Sequence, residues 1–398
     1  MRRWKILKAV FVCGVIAVVF VGAGGAFAQG GPERITLQAE DVLPGNLAYD
    51  QARDRFLIAG ATDGAIYAVG GDGTLTPLVS DEALGFVQSM TVDAATDSLI
   101  VVATDQQMFG GQFGFGPGGP GGVPAPAETP VAPPSGQGAP GEAPQPGQLP
   151  AEMPTLDPDF NPSTFVLVYN LATGAQVRAV DLTGVAPDGL HLGGAATLDA
   201  NGNIYVADTL GGVIYMIDPS DGVYYLENAA FSGQGLAGLN DIVYLPAANC
   251  LLVTQIRSGM LWKVPLDNPA NVTQVALPEG MAALRSIMVD AAGNLLALSG
   301  GRGMGGPQAG ADPGTAPEAG AAPDPAALTA TLVTLSSGDN WASATVLSQT
   351  EVEGGLASGA VLRGSEVYVL RGGSRGAPAG SADAAANPVE IVRLSPDA

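Results

Sequence analysis

The stretch LDANGNIYVADT, residues 198–209, contains both elements from which the fold can be inferred. Its first half, Asp-Ala-Asn-Gly-Asn at 199–203, supplies residues that tolerate the left-handed backbone conformations of a tight hairpin turn. Its second half, Ile-Tyr-Val-Ala at 204–207, is an apolar run rich in residues that favour β-strands. The stretch therefore predicts a turn between two antiparallel strands.

The same unit recurs along the chain. Each copy has a short apolar strand, a turn containing Asp, Asn or Gly, and a second apolar strand, at residues 46–79, 89–105, 195–227, 241–267, 286–300 and 359–373. Antiparallel strands joined by hairpins at this spacing are typical of a β-sandwich or of the radial blades of a propeller. Six copies with a period of about 45 residues, counted without residues 1–28 and three low-complexity segments, favour the propeller. We predict an all-β, six-bladed β-propeller of four-stranded antiparallel blades.

The two ends of the repeat region predict how the ring closes. The sixth copy ends with its third strand, Glu390–Leu394, and lacks a fourth. A further strand candidate, Arg34–Gln38, precedes the first strand of the first copy. We expect this N-terminal strand to complete the sixth blade, because closure by both termini removes exposed sheet edges and holds the chain ends.

Three segments dominated by Gly, Pro, Ala and Ser interrupt the repeats, at residues 106–162, 300–327 and 372–387. Such composition does not form a packed core, so we expect loops within a single propeller domain spanning residues 33–398. Each segment falls between the second and third strands of a blade, which predicts that all three emerge on one face of the ring. There they could gate a ligand, engage a partner or decorate the surface.

The N-terminus predicts export. Basic residues within the first eight positions precede an apolar run, residues 9–28, that ends in Ala-Phe-Ala before Gln29; this is the pattern of a cleavable signal peptide at residues 1–28. An uncleaved membrane anchor is the alternative, since the run is nearly long enough to span a bilayer. Cys13 lies too early in the run for a lipid anchor. After cleavage we expect a secreted or extracytoplasmic monomer without a transmembrane segment.

The charge excludes one class of partner. The chain has a formal net charge of -22, and loss of residues 1–28, which contain four basic side chains and no acidic ones, would make it -26. Nucleic acid and anionic membrane surfaces would repel such a protein. His191 is the only histidine, and Cys250 would be the only cysteine after cleavage. Metal sites built from His or Cys, and an internal disulfide, are therefore excluded.

Four phrases resemble the family that unites senescence marker protein, gluconolactonase and luciferin-regenerating enzyme, six-bladed propellers that are also similar to NHL-repeat proteins. They are LAYD at 47–50, LDANGNIYVADT at 198–209, GLNDIVYLP at 238–246 and IMVDAAGNLLAL at 287–298. The resemblance covers about residues 33–300. It implies hydrolysis of lactones or esters, with a divalent cation, calcium or zinc, held in the channel by a Glu, an Asn and an Asp, and a second Asn that binds substrate.

In that family the channel positions lie five residues before the Asp of each first hairpin turn. Counting back in this chain gives Gly45, Gln88, Gly194, Asn240, Arg285 and Ser358. Asn240 alone matches a metal ligand of the family. Gly45 replaces the Glu, and Gly194 replaces the substrate Asn. Arg285 replaces the Asp that binds metal and moves the proton, and a guanidinium opposes a hard cation, which needs several oxygen ligands.

We therefore predict a binding site on the channel face for a small neutral or anionic molecule or for a protein partner. Its candidate residues are polar groups of the ring and of its mouth: Gln88, Asn240, Arg285, Ser358, Asp241 and His191. An ion pair with Glu279 or Asp241 is the alternative for Arg285. His191 is expected near the channel mouth beside Asp188, and a surface or packing role is its alternative.

Two other functions are alternatives at this point. A divergent metal-dependent lactonase or esterase would use a relocated cation near Asn240, Asp241, Asp188 or Glu279. A structural module of the cell envelope would use the low-complexity segments as adhesive or spacer elements. The sequence does not decide whether the protein is an enzyme, because propellers host many functions. The recurrent Asp residues at 50, 93, 199 and 290 are interpreted as turn formers rather than calcium ligands.

Overall fold

The hairpin unit forms a four-stranded antiparallel sheet, and the computed structural model contains six such sheets. The structure describes residues 31–38, 44–60, 64–104, 162–186, 189–231, 238–255, 258–279, 281, 284–300, 330–352, 357–371 and 388–394. Blade one consists of β2 (Pro44–Asp50), β3 (Arg55–Gly60), β4 (Ala65–Val69) and β5 (Leu75–Ser80). Blade two consists of β6 (Phe86–Asp93), β7 (Ser98–Thr104), β8 (Thr164–Asn170) and β9 (Gln176–Asp181).

The other four blades repeat this order. Blade three has β10 (Gly193–Leu198), β11 (Ile204–Asp208), β12 (Val213–Ile217) and β13 (Val223–Glu227). Blade four has β14 (Ile242–Leu245), β15 (Cys250–Gln255), β16 (Met260–Pro265) and β17 (Thr273–Gln274). Blade five has β18 (Leu284–Val289), β19 (Leu295–Gly300), β20 (Ala330–Ser336) and β21 (Thr345–Val352). Blade six has β22 (Ala357–Arg363), β23 (Glu366–Arg371), β24 (Glu390–Leu394) and β1 (Arg34–Thr36).

The six blades form a closed ring. The first strand of each blade contacts the first strand of the next, in the cycle β2, β6, β10, β14, β18, β22 and back to β2. These six strands are therefore the innermost ones and surround the central axis. The predicted six-bladed, all-β propeller is confirmed.

Blade six is shared between the two ends of the chain, as predicted. β1 pairs antiparallel with β24, with Ile35 opposite Ile391 and Thr36 opposite Glu390. Ile35 and Ile391 are both buried. Glu390 also accepts a hydrogen bond from Arg371 Nη2 at 2.9 Å on the neighbouring strand β23. Closure of the sheet thus combines apolar burial with an ion pair between the neighbouring strands β23 and β24.

The core lies between the blades. Six apolar clusters occur, and each combines the facing surfaces of two adjoining blades, including blades six and one. The second strands are the most deeply buried because both of their faces pack against a neighbour; every residue of β7 and every residue of β15 is buried. Each blade therefore depends on both neighbours for its apolar burial.

The hairpin turns follow the sequence pattern. Asp199 Oδ1 accepts the backbone N–H groups of Asn201 at 2.8 Å and Asn203 at 3.0 Å. Gly202 has φ of +79°, a left-handed conformation that glycine adopts without strain. Asp290 makes the equivalent pair of bonds in blade five. These carboxylates act as turn formers, which matches the interpretation from sequence.

The low-complexity segments connect the second and third strands of blades two, five and six, since β7, β19 and β23 precede them and β8, β20 and β24 follow. Most of their residues lie outside the described residues, although Gly300 is the last residue of β19 and Pro162 precedes β8. The predicted signal peptide, residues 1–28, also lies outside them. Among the described residues, no helix has the length and hydrophobicity needed to span a bilayer.

Candidate functional site

A cavity of about 480 Å³ occupies the centre of the ring. It is lined by the innermost strands of all six blades. Four of the candidate residues lie on its wall: Gln88, Asn240, Asp241 and Arg285. Gly194, the position that holds a substrate Asn in the resembling family, lines the same cavity. Counting back from the turns therefore located residues that face one shared space.

β-Bulges occur at two of these positions. The register of β6 against β7 passes from Val87 to Ser89, and the register of β18 against β19 passes from Leu284 to Ser286. The residues skipped are Gln88 and Arg285. A bulge leaves one residue out of the ladder and redirects its side chain. Similar register shifts occur at the starts of β2, β10 and β22.

Polar side chains of the channel wall join neighbouring blades. Asn46 Nδ2 of blade one donates to Val87 O at 2.7 Å, and Ser89 Oγ of blade two donates to Gly194 O at 2.9 Å. Asn240 Nδ2 donates to Arg285 O at 2.5 Å, which joins blades four and five. These bonds satisfy backbone carbonyls at the inner ends of the blades and hold the channel residues in place.

Asp241 has a similar joining role. Its Oδ1 accepts Ile242 N at 2.8 Å, and its Oδ2 accepts Ile287 N of blade five at 2.7 Å. Removal of the carboxylate from water raises the pKa of Asp241 from 3.8 to about 6, although the two amide donors act in the opposite direction. Asp241 is therefore a channel acid with a pKa above the usual range of a carboxyl.

The channel residues do not fit the divalent cation that the resemblance implies. Asp241 is the only carboxylate among the described lining residues, and both of its oxygens accept backbone amides. Arg285, a permanent cation, is another lining residue. In the described ranges, no group of three or more His, Cys, Asp or Glu side chains is arranged to hold a metal ion. Calcium and zinc both need more oxygen or nitrogen ligands than this.

Packing accounts for the glycine at position 194. A Cβ built on Gly194 would lie 2.5 Å from Thr209 Cγ2 and 3.3 Å from Ala207 O. An Asn at this position would therefore require the side chain of Thr209 to move. The substrate Asn of the resembling family could not be accommodated here without such a change.

Several candidate residues lie elsewhere or outside the description. Ser358 belongs to β22 at a register shift, but its side chain is not among those described. Asp188 is not among the described residues. Glu279 is exposed and is absent from the described lining of the channel. The ion pair between Arg285 and Glu279 or Asp241 stays a prediction.

His191 does not belong to the channel set. It lines a second cavity of about 260 Å³ between blades two and three. Its Nδ1 lies 2.8 Å from Oδ2 of Asp208, the last residue of β11, which is completely buried. This carboxylate holds the imidazole between the blades, and the expected place of His191 near the channel mouth stays a prediction.

Sequence reasoning also missed residues of both cavities. Asn46, Ser89 and Thr91 line the channel, and Thr91 Oγ1 donates to Ala196 O of blade three at 2.8 Å. Thr183 lines the second cavity. The signal that could have found the first group is the presence of polar residues in otherwise apolar innermost strands.

No protein-family model matches the chain, and no curated protein matches it. Among solved structures, a gluconolactonase from Xanthomonas campestris is 12% identical over 91% of this chain and 89% of its own, with a TM-score of 0.49. A putative gluconolactonase is 11% identical over 92% and 93% of the two chains, with a TM-score of 0.49. Virginiamycin B lyase from Staphylococcus aureus is 11% identical over 91% and 98%, with a TM-score of 0.48. Similarities at this level carry no inference about activity, and the six-bladed fold rests on the strand pairing described above.

Proposed function

We propose that this protein is an exported propeller that binds a small anionic molecule in its central channel. The observation that carries the proposal is the convergence of Gln88, Asn240 and Arg285 on one cavity of about 480 Å³. This volume lies within the range of about 300–1,000 Å³ typical of small-molecule sites. In its broader form, the proposal includes a protein partner that binds at the same face of the ring.

Arg285 determines the expected ligand class. Its guanidinium is a permanent cation with planar donors suited to carboxylate or phosphate oxygens. The amide groups of Gln88 and Asn240 add neutral hydrogen-bonding capacity on the same wall. Because the only acid among the described lining residues, Asp241, has a pKa raised to about 6 by desolvation, acidification reduces negative charge in the channel. Anion binding is therefore expected to strengthen below about pH 6.

The proposal is tested by thermal unfolding with acetate, succinate and gluconate as probes and glucose as a neutral comparator. We expect a saturable increase in Tm with at least one carboxylate, since a ligand of the folded state stabilises it by mass action. The increase should be lost in Arg285→Gln and retained in Arg34→Gln, an arginine whose side chain is 54% exposed on β1. Equal stabilisation of both variants, or of neither variant nor the unchanged protein, would contradict the proposal.

A lactonase or esterase is the second candidate, and the observation in its favour is the channel acid Asp241. Hydrolysis of glucono-1,5-lactone and of p-nitrophenyl acetate should be measured with calcium, with zinc and with a chelator. The binding proposal expects no turnover above that of Asp241→Asn. Chelator-sensitive turnover that disappears in this variant would establish the hydrolase instead.

Export is supported by the basic N-terminal residues, the apolar run and the Ala-Phe-Ala site before Gln29. We expect the protein recovered from outside the cytoplasmic membrane to begin at Gln29. Mass spectrometry of the intact chain tests this, and a retained Met1 in the recovered protein would support the uncleaved anchor.

A further inference from the structure

The wall of the central channel is built in layers. Ser89 Oγ of β6 donates to Gly194 O of β10, and Thr91 Oγ1, two residues later, donates to Ala196 O, two residues later on the neighbouring strand. The bonds between β14 and β18 advance in the same sense. Neighbouring innermost strands therefore run side by side in one direction. Residues at the same distance before the hairpin turn lie at the same depth in the channel.

The end of the channel at the bulges is polar. The first layer contains Gln88, Asn240 and Arg285, and the second layer contains the residues that follow them. The described polar lining residues of these two layers are Asn46, Gln88, Ser89, Asn240, Asp241, Arg285 and Ser286. This end therefore holds the groups of the proposed anion site.

The next two layers are largely apolar. Each of the six blades contributes one lining residue to the third layer, and all six are apolar: Leu47, Met90, Ala196, Ile242, Ile287 and Ala360. The fourth layer contains half-buried residues that line the channel. Three of them come from neighbouring blades and form the apolar side of the channel: Val243 of blade four, Met288 of blade five and Val361 of blade six.

The core holds the apolar side in place. Val243 packs against the cluster between blades four and five, and Met288 packs against the cluster between blades five and six. Val361 packs against the cluster between blades six and one. Each residue thus has one part in the core and another part on the channel wall. This apolar surface is formed before a ligand arrives, which reduces the cost of binding.

Blades two and three add little hydrogen-bonding capacity at the same depth. Their fourth-layer residues are Thr91 and Thr197. Thr91 Oγ1 donates to Ala196 O at 2.8 Å, and Thr197 Oγ1 accepts Tyr244 N at 3.2 Å. Backbone groups therefore use part of the capacity of both hydroxyls. A ligand hydroxyl that left water for the apolar side would gain no hydrogen bond there, which costs free energy.

The strand geometry sets the length of the ligand. Arg285 and Met288 lie three residues apart on β18, and three residues of an extended strand span about 10 Å. An anion at the first layer can reach the apolar side with a medium-length alkyl chain or with an aryl group.

We propose that the ligand of the channel is amphipathic, with an alkyl or aryl group against the apolar side and a carboxylate at the polar end. The position of the carboxylate rests on the proposed function. The apolar group goes beyond that function and follows from the third and fourth layers. Acetate would leave the apolar side in contact with water, and gluconate would place hydroxyl groups against it. Hexanoate and phenylacetate have groups suited to both ends.

Thermal unfolding at constant ionic strength tests the proposal with acetate, butyrate, hexanoate, phenylacetate and gluconate. The apparent affinity is taken from the dependence of Tm on ligand concentration. We expect an increase of about fourfold for each methylene group that is buried, and up to about a hundredfold from acetate to hexanoate. Gluconate should bind more weakly than hexanoate.

Hexanol, which has the same chain without the charge, separates this inference from the proposed function. Stabilisation by acetate and gluconate with no gain from a longer chain would overturn the inference and leave the anion site standing. Equal stabilisation by hexanol and hexanoate would uphold the apolar group and contradict the carboxylate, and with it the anion-binding function. No stabilisation by any of these compounds would overturn both.

Variants show whether the gain arises at the apolar side. Val361→Thr places a hydroxyl there at similar volume, and the ratio of hexanoate affinity to acetate affinity should fall about fivefold. Val177→Thr on β9 is the matched control, since Val177 is 61% exposed and lies outside the described channel lining; it should leave the ratio unchanged. Arg285→Gln should weaken the binding of both acids and keep their ratio.

Val243→Thr repeats the test on blade four, so the result does not depend on the folding of one variant. The ratio is measured within each folded variant, so a general loss of stability does not affect it. An unchanged ratio in Val361→Thr or Val243→Thr, or an equal fall in Val177→Thr, would overturn the inference.

Discussion

Replacement of Asp241 by Asn is expected to remove a pH dependence that the channel imposes on stability. The carboxylate has a pKa of about 6 in the folded protein against a reference value of 3.8, because burial disfavours its ionised form. The folded state therefore binds a proton that the unfolded state releases between these two pH values. Asp241 lines an open cavity and is only partly buried, so at neutral pH the cost of the ionised group to the folded chain is at most about 3 kcal/mol from the difference in pKa.

The direction of the pH effect on stability follows from the difference between the two pKa values of Asp241. As the pH falls from about 7 to about 4, protonation of Asp241 relieves the cost, so the free energy of unfolding of the unchanged protein should rise relative to that of the variant by up to about 3 kcal/mol. Urea unfolding of both proteins at several pH values measures the difference, and equal m-values confirm that the same surface unfolds. Taking the difference cancels the titration of the other acidic residues.

The reasoning is refuted if the difference between the two proteins is flat with pH, or if it falls on acidification. A flat difference would mean that the two amide donors, Ile242 N and Ile287 N, stabilise the carboxylate as much as burial destabilises it. A fall would mean that these donors prevail and that the channel favours the ionised form.

Three further variants test the ring. Gly73→Ala should destabilise the protein by about 2 kcal/mol in urea unfolding. Gly73 has φ of +84°, and the Cβ of an alanine would lie 1.8 Å from Thr36 O of the closing strand β1. An unchanged midpoint of urea unfolding would disprove this. Arg363→Met should reduce the free energy of unfolding by about 1 kcal/mol. Arg363 of blade six donates two hydrogen bonds, at 2.7 Å and 2.8 Å, to Asp54 of blade one. High salt should make the difference between the variant and the unchanged protein smaller. Asp339→Asn should show the opposite pH dependence to Asp241→Asn. Hydrogen bonds, the largest from Ser343, lower the pKa of Asp339 from 3.8 to about 2. The contribution of Asp339 to stability is therefore present above about pH 4 and lost as the pH falls through about 2. Parallel melting curves of Asp339→Asn and the unchanged protein over that acidic range would contradict it.

The turn residues allowed the fold to be predicted from the sequence. Asp199 and Gly202 form a hairpin through local bonds, so their spacing carries the information needed to place two strands. The second strands are apolar throughout because neighbouring blades cover both of their faces, and this too is visible in sequence. The closing strand could be inferred because the sixth copy of the repeat lacked a fourth strand. The predicted signal peptide and the roles of the low-complexity segments stay predictions.

The sequence predicted the candidate site only as a set of positions on the ring. Counting back from the turns located Gln88 and Arg285 on the channel wall, but the bulges that direct them there depend on strand register. The bonds that join blades, such as that of Asn240 to the carbonyl of Arg285, link residues far apart in the chain. No local pattern marks such pairs.

The surroundings of His191 show what the local sequence does not reveal. It lies just before the innermost strand of blade three, which suggested the channel mouth. Asp208 ends β11, and its Oδ1 accepts the turn amides of Leu210 and Gly211. Its Oδ2 is also a partner of the imidazole and of Tyr215, so one carboxylate serves both the turn and the second cavity. The second role depends on packing between blades two and three.

The pH dependence of stability at Asp241 also distinguishes the two candidate functions of the channel, anion binding and metal-dependent hydrolysis, without an activity assay. A divalent cation beside this carboxylate would favour its ionised form and lower its pKa, so the gain in stability on acidification would shrink or reverse. We expect the difference between the unchanged protein and Asp241→Asn to keep its slope with pH in calcium and in sodium chloride of equal ionic strength. The described lining offers one carboxylate whose oxygens already accept two amides, and Arg285 shares the wall. A slope that is reversed by calcium alone would identify a relocated metal and exclude the anion-binding channel.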